Sequence, residues 1–301
     1  MPLSSAARAD FLLLLVTLIA AAGWIFSKEA LQEMPPLLFI GVRFLLAGAI
    51  LLIPAYKGCL DLLNARALKP VFGLGLLMSS ALLCWIMGLY HGHHLGEGAF
   101  ITSMGVILVP LMAWLTYRER AQRSTWLSLP VAIAGLGLLS LEGGLSLAAG
   151  QFWFLCAALL FSVHFVLVSK MALMVPAIVL TAVQLLVVGS GGIIVSAVFE
   201  SWPESVSDSA IGWVVASAVI ATSLRFAIQT YAQSLAPASH VALIMTLEPV
   251  WAALLAAIIY AEVMTGLQLA GCGLIFMAML VSRWRWLQPL YYACRSRFPS
   301  R

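Results

Sequence analysis

The sequence predicts an all-α membrane protein of ten transmembrane helices, arranged as two inverted five-helix repeats. Three observations lead to this fold class. Hydrophobic residues make up 63% of the 301 residues and charged residues only 9%, with a mean hydropathy of +1.04. The apolar residues form ten stretches, each close to the ~20 residues that a helix needs to cross a bilayer. Similar segments recur in the same order at a separation of about 140 residues.

The composition excludes a soluble globular protein, in which about 25% of residues are charged. A soluble fold cannot hide so much apolar surface, because even large domains leave part of each element in water. The five cysteines are scattered without a CxxC pair, so we predict neither a disulfide framework nor a zinc site. The apolar run 11–30 is longer than a signal-peptide core and lacks a small-x-small cleavage site. We therefore expect it to be a retained first span.

Charge clusters, prolines and glycines separate the ten predicted spans. The spans cover residues 11–30, 34–54, 70–90, 98–116, 125–142, 151–170, 176–199, 211–231, 239–260 and 265–282. Their connections are short, so neighbouring spans are expected to pack as antiparallel hairpins without room for a soluble domain. We predict a first repeat over 1–142, a second over 143–282 and a basic cytoplasmic tail over 283–301.

Internal repetition supports the division into halves. The tripeptide FSK at 26–28 matches VSK at 168–170, and Arg43 then aligns with Gln184. Five spans per half is an odd number, so the two halves must lie in the membrane in opposite orientations. Inverted repeats are the architecture of secondary transporters, which bind their solutes near the midplane between the repeats.

The distribution of Lys and Arg predicts that both termini are cytoplasmic. With the N-terminus inside, thirteen of the sixteen cations fall on the inner side and only Lys28 on the outer side. Arg43 and Arg225 lie within spans. This bias follows the positive-inside rule. The net charge of +4 is therefore mainly a topology signal, and we expect no nucleic-acid partner.

Two segments carry a resemblance to a known family. Residues 42–48 read VRFLLAG, and residues 237–255 read PASHVALIMTLEPVWAALL and are followed by the acidic Glu262. The first half is similar at residues 98–111. With its two five-span halves, the chain resembles the EamA-type branch of the drug/metabolite transporter superfamily over about residues 10–282.

The resemblance implies a ten-helix bundle around a central cavity, which moves small polar metabolites by alternating access. It also implies export across a bacterial inner membrane, with the lipid bilayer and a small-molecule substrate as partners and without a cofactor. Amino acid-like, nucleotide-like and drug-like substrates all occur in the family, so the substrate stays open. A monomer and a homodimer are both compatible with the resemblance.

Three ionisable residues lie deep within predicted spans: Arg43, Arg225 and Glu248. Such groups cost roughly 2.5–3.5 kcal/mol at a helix centre and are functional candidates. Arg225 lies ten residues before the turn near Leu235 and Glu248 thirteen after it, so their depths differ by only about 4–5 Å. We predict that the two can pair. Each of the three either binds the substrate or has a structural role, as a bridge or by snorkelling.

Weaker candidates surround these charges. Gln229 lies one helical turn beyond Arg225, and Gln184 occupies the repeat position of Arg43. An amide in hydrocarbon binds either a neighbouring helix or the solute. His164 is either a satisfied interior residue or a proton relay, and Glu248 is the other candidate for proton coupling.

Two tryptophans and two prolines complete the predicted site. Trp24 and Trp251 lie deeper in their spans than the usual interfacial aromatic residues and could line the cavity. Pro110 and Pro249 interrupt helix hydrogen bonding at related points of the two repeats. They act either as gate hinges or as static kinks.

The segment 91–94 reads HGHH and is followed by Glu97. Three imidazoles could bind a metal ion, but they lie in a glycine-rich external turn without a second His or Glu cluster. We therefore predict an interfacial loop and no metal site. The sequence also lacks the GxSxG and HExxH motifs, so we predict that the protein is not an enzyme. A lipid or lipid-linked phosphate flippase stays open as the alternative function, because the deep arginines could bind lipid phosphate.

Overall fold

The structure is a computed structural model that describes residues 5–63, 67–92, 94–118, 123–140, 148–235, 241, 244–245 and 247–282. Within this part of the chain every regular element is a helix. The helices are α1 (Ser5–Ala30), α2 (Pro36–Leu63), α3 (Leu68–His91), α4 (Leu95–Ser103), α5 (Gly105–Tyr117), α6 (Arg123–Ser140), α7 (Ala149–Met171), α8 (Ala177–Phe199), α9 (Asp208–Ala218), a π-helical segment (Val219–Leu224), α10 (Arg225–Leu235), α11 (Glu248–Tyr260) and α12 (Gly266–Ser282).

The all-helical, multi-span prediction is confirmed. Among the described residues, seven helical stretches are long and apolar enough to cross a membrane, including α4 joined to α5 and α9 joined to α10. Three shorter apolar helices cover residues 126–135, 248–260 and 266–281. They fall within the fifth, ninth and tenth predicted spans. The count of ten spans stays a prediction, and the basic tail at 283–301 lies outside the described residues.

Helices α2 and α8 pack closely because glycines let their backbones approach. A Cβ atom added to Gly192 would lie 2.7 Å from both Cα and N of Gly41, and one added to Gly48 would lie 2.9 Å from the Leu186 backbone nitrogen. Small residues at such contacts are typical of helix pairs in membranes. As the residue number rises from 41 to 48 on α2, it falls from 192 to 186 on α8. The two helices therefore run antiparallel.

Further helix pairs also join the two predicted repeats. α4 packs on α11, α6 on α12 and α3 on α7, while α1 packs on α9 and α10. If the two halves are exchanged, this set of pairs maps onto itself. That is the pattern expected of two repeats related by a pseudo-two-fold axis. The inverted orientation within a bilayer stays a prediction.

At one end of the bundle, glutamates bind the N-termini of helices from the other half. We call it the carboxylate end; it carries Glu29, Glu33, Glu200 and Glu262. The Glu200 carboxylate accepts hydrogen bonds of 2.9 Å from the backbone N–H groups of residues 37 and 38 at the start of α2. A negative charge is stabilising there because the helix dipole is positive at its N-terminus.

Glu33 makes the corresponding contact in the opposite direction. It accepts hydrogen bonds from the hydroxyl of Ser207 at 2.6 Å and from the Ser207 backbone N–H at 2.9 Å. Ser207 is the N-cap of α9. These hydrogen bonds from Ser207 lower the pKa of Glu33. Each half thus anchors a helix start of the other.

The close approach of α2 and α8 makes a first prediction. We expect Gly192→Ala to lower the stability of the protein by about 1–3 kcal/mol, because the added methyl group would overlap the Gly41 backbone. The measurement is the midpoint of thermal unfolding in detergent. Gly212→Ala is the matched control, since a Cβ atom there meets nothing within 4 Å and should be neutral or slightly stabilising. Equal effects of the two substitutions would contradict the prediction.

Candidate substrate-binding site

A cavity of about 180 Å³ lies among helices of both halves. Its wall brings together seven of the residues singled out by the sequence, from α1, α2, α7, α8, α10 and α11. They are Trp24, Arg43, His164, Gln184, Arg225, Gln229 and Glu248. Aromatic side chains from α2, α3, α7 and α10 also belong to the wall. The cavity is therefore a mainly apolar space with a few charged and amide groups, which is the usual composition of a small-molecule site.

Arg225 and Glu248 form the ion pair that the hairpin geometry predicts. The Nη2 atom of Arg225 lies 3.4 Å from Oε2 of Glu248, and the two side chains are 16% and 19% exposed. The other carboxylate oxygen, Oε1, accepts a hydrogen bond of 3.2 Å from the indole N–H of Trp24. Glu248 also lies in the first turn of α11, where the helix dipole favours a negative charge. The carboxylate is thus held by groups from α1, α10 and α11.

Arg43 makes three hydrogen bonds to neutral oxygens. Its Nε donates to Oγ1 of Thr222 at 2.6 Å, its Nη1 to Oγ of Ser27 at 2.8 Å and its Nη2 to the carbonyl of Ala221 at 3.4 Å. The residue is only 5% exposed. Arg43 therefore joins α2 to α1 and to the π-helical segment while it also contributes to the cavity wall. This geometry favours the structural interpretation of Arg43 over direct substrate contact.

The π-helical segment directly before Arg225 was not predicted from the sequence. The hydroxyl of Thr222 donates to the carbonyl of Ser217 at 2.8 Å, and that of Ser223 donates to the carbonyl of Ala218 at 2.9 Å. Each of these side-chain hydrogen bonds reaches five residues back along the chain, the same spacing as the backbone hydrogen bonds that define a π-helix. Such turns are frequent at functional sites. Arg225 follows this segment directly.

The side chains of His164 and Gln184, both in the cavity wall, form a hydrogen bond with each other. Nε2 of His164 lies 2.6 Å from Oε1 of Gln184, and Nε2 of Gln184 donates to the carbonyl of Leu180 at 3.2 Å. Because an amide oxygen only accepts hydrogen bonds, we assign the proton to Nε2 of His164. The pair links α7 to α8, which agrees with the interhelical role considered for Gln184 and with the role of a satisfied interior residue considered for His164.

Several buried polar atoms at the cavity have no partner among the residues that the structure describes. They are Oγ1 of Thr102, Nε of Arg225, Oε1 of Gln229 and Nε2 of Gln233. Arg225, Gln229 and Gln233 follow one another at intervals of four residues, so they form a stripe along one face of α10. Gln233 is 4% exposed and was missed from the sequence, although its spacing from Gln229 was a usable signal. Buried polar atoms normally have a partner, and a bound solute would supply one.

The remaining candidates lie away from the cavity wall. Trp251 is half-buried on α11, outside the residues that line the cavity. Pro110 lies inside α5, whereas the helical break in that span is at Met104. Pro249 occupies the first turn of α11, where its missing N–H would have no helical partner anyway. The two prolines are therefore in different helical environments, and a hinge role stays a prediction.

The histidine segment lies at the carboxylate end. Nδ1 of His94 is 3.3 Å from Oε1 of Glu262, while the Glu262 Oε2 atom accepts a hydrogen bond of 3.3 Å from the N–H of Leu95. His93 lies outside the described residues. In the part of the chain that the structure covers, no three His, Cys, Asp or Glu side chains are grouped to hold a metal ion.

Comparisons with known proteins point to one family. The EamA-like transporter family matches the chain twice, over residues 7–141 and 148–284. An uncharacterized transporter of Archaeoglobus fulgidus is 28% identical over 276 residues, which cover 91% of this chain and 85% of the relative. A probable amino-acid metabolite efflux pump of Salmonella typhimurium is 27% identical over 289 residues, covering 90% of this chain and 93% of the pump. A crystal structure with a TM-score of 0.67 and 19% identity covers 91% of this chain and 96% of its own, and it shows the fold alone.

The hydrogen bonds of Arg43 make a second prediction. We expect Thr222→Val to lower stability by about 1.5–3 kcal/mol, because it removes an acceptor from a buried guanidinium without changing the side-chain shape. The measurement is thermal unfolding in detergent without solute. Thr102→Val is the matched control, since the Thr102 hydroxyl has no partner within the described residues. A Thr222→Val protein as stable as Thr102→Val would contradict the proposed role of Arg43.

Proposed function

The chain belongs to the EamA-like transporter family, and on that premise we propose that it exports a small polar metabolite across a bacterial inner membrane by alternating access. In this proposal the repeats 1–142 and 143–282 have opposite orientations, and both termini are cytoplasmic. The Salmonella relative supports export and an amino acid-like solute, since its name describes an amino-acid metabolite efflux pump. The positive-inside distribution of Lys and Arg supports the orientation.

The arrangement of charges in the cavity carries the proposal. Arg225 and Glu248 make a single contact of 3.4 Å, although two parallel hydrogen bonds are common in arginine–carboxylate pairs. A solute with a carboxylate or an amine could therefore bind here without breaking an extensive ion-pair network. The volume of about 180 Å³ is below the ~300–1,000 Å³ typical of drug-sized ligands. This favours a small metabolite over a lipid.

Polar contacts between the halves support alternating access. At the carboxylate end, the Tyr260 hydroxyl donates to Oε1 of Glu29 at 2.6 Å, and the Gln151 amide donates to Oε1 of Glu97 at 2.5 Å. With the N-terminus inside, this end faces outward. We propose that these contacts form the outer gate and that they separate when the solute is released. Alternating access in inverted-repeat transporters moves one repeat bundle against the other.

A transport assay tests the proposed site. We expect Arg225→Gln and Glu248→Gln proteins in proteoliposomes to lose at least about tenfold in the rate of solute exchange, because each loses a charged contact worth about 1.5–3 kcal/mol. Radiolabelled amino acids and related organic acids serve as solutes. Lys57→Gln is the control, since it changes a charge on an exposed side chain outside the cavity. Translocation of a labelled lipid without exchange of any polar solute would instead support a flippase.

Proton coupling makes a separate prediction. If Glu248 carries the coupled proton, the transport rate of the wild-type protein changes with pH and that of Glu248→Gln does not. The measurement is initial uptake into proteoliposomes over about pH 5 to 8. His164→Gln is tested in parallel because His164 is the other candidate relay. Full retention of the pH dependence in Glu248→Gln would exclude Glu248 as the proton carrier.

A further inference from the structure

The cavity wall contains more positive than negative charge. Two guanidinium groups, of Arg43 and Arg225, and one carboxylate, of Glu248, belong to its lining. Arginine side chains stay protonated in proteins. Glu248 is the one acidic residue among the described residues that line the cavity. The lining therefore carries one surplus positive charge when Glu248 is ionised.

Among the described residues that line the cavity, no second acidic side chain balances this surplus charge. The three hydrogen bonds of Arg43 go to two hydroxyl groups and a backbone carbonyl. Glu248 divides its oxygens between Arg225 and Trp24. An unbalanced charge in an interior of low dielectric constant is costly, and truncation of a buried ion pair shows the same penalty. A ligand that brings one negative charge would remove this cost, whereas a zwitterion would leave it.

The free polar atoms indicate how such a ligand could bind. Nε of Arg225 and Oε1 of Gln229 have no partner among the described residues. Nε can donate to a carboxylate, and the amide oxygen can accept from a hydroxyl or an amide N–H. The two residues are one helical turn apart, about 6 Å along the axis of α10. This spacing suits a carboxylate and a neighbouring donor on one small molecule.

We propose that the solute is a small organic monoanion with a carboxylate and a nearby hydroxyl or amide N–H group, without a compensating ammonium group. A hydroxy acid and an N-acylated amino acid both belong to this class. The carboxylate binds Arg225 and the donor group faces Gln229. This inference depends on the proposed transport function and narrows its substrate class.

An anionic solute has a consequence for the driving force. Without a coupled ion, each transport cycle moves one negative charge across the membrane. A potential of 100 mV, negative inside, then favours the external over the internal solute by about fifty-fold. Export would therefore not require a proton or sodium gradient.

The test compares solutes of equal carbon frame and different charge. On alanine-, leucine- and phenylalanine-sized frames, the probes are the 2-hydroxy acid, the N-acetylated amino acid, the free amino acid and its methyl ester. Binding is measured as a thermal shift of the detergent-purified protein, since a ligand of the folded state raises its apparent stability. Transport is measured as uptake into proteoliposomes under an imposed potassium-diffusion potential. We expect a thermal shift and potential-dependent uptake for at least one monoanion, at concentrations at least about tenfold below those needed for the amino acid of the same frame.

The outcomes separate the inference from the proposed function. Uptake of amino acids without binding of any monoanion overturns the inference and leaves the transport function standing. If the uptake rate of a monoanion does not change with the imposed potential, the proposal that each cycle moves one negative charge is wrong. If no probe is bound or transported while a labelled lipid is translocated, both the inference and the proposed function fail.

A charge variant tests the cause of the preference. Gln184→Glu places a second carboxylate in the cavity wall with little change of shape, and it should reduce the preference for the monoanion over the amino acid by at least about tenfold. Gln32→Glu adds the same charge at an exposed position outside the cavity and should keep the wild-type preference. If Gln184→Glu does not fold, Arg43→Gln serves instead, because it removes the surplus positive charge by deleting a guanidinium group. An unchanged preference in the variant that folds contradicts the charge argument.

Discussion

The fold of this protein depends on the hydrogen bonds that satisfy the guanidinium group of Arg43 inside the bilayer. Water is absent from the hydrocarbon core, so a buried donor must find its acceptors within the protein. Arg43 binds Ser27 on α1 and Thr222 and Ala221 on the π-helical segment. These contacts join helices from both halves. Ser223 adds a hydrogen bond of 3.2 Å to the carbonyl of Ala47 on α2, so the π-helical segment is held against α2 by more than one bond.

Close packing and charge placement support each other. The glycine contacts of α2 and α8 bring two equivalent helices together in antiparallel orientation, which places Arg43 and its repeat partner Gln184 in the wall of one cavity. The π-helical segment ends directly before Arg225, which pairs with Glu248. At the carboxylate end, glutamates of each half bind helix starts of the other half. The cavity therefore lies between two halves that are joined by the close packing of α2 and α8 and by the glutamate contacts at the carboxylate end.

Much of the site could be predicted from the scarcity of charge. Charged groups are costly in hydrocarbon, so Arg43, Arg225 and Glu248 stood out, and hairpin geometry was sufficient to predict the Arg225–Glu248 pair. Other features could not be derived from the sequence. The π-helical segment contains two hydroxyl groups that bind carbonyls five residues back, but Ser and Thr also occur in regular helices, so the residues alone did not indicate it. Trp251 was expected in the cavity wall but lies outside the residues that line it, although it is only three residues beyond Glu248.

The sequence by itself determined that the chain is helical, spans a membrane several times and belongs to a duplicated family, because hydropathy, repeat order and family motifs are local or linear properties. Only the tertiary structure decided which polar residues share a cavity and which are already satisfied. His164 and Gln184 bind each other, and Arg43 is largely occupied, whereas Arg225, Gln229 and Gln233 keep buried atoms without a partner in the described part of the chain. The physical reason is that hydrogen-bond satisfaction depends on distances between helices that are remote in sequence, and these distances are set by packing.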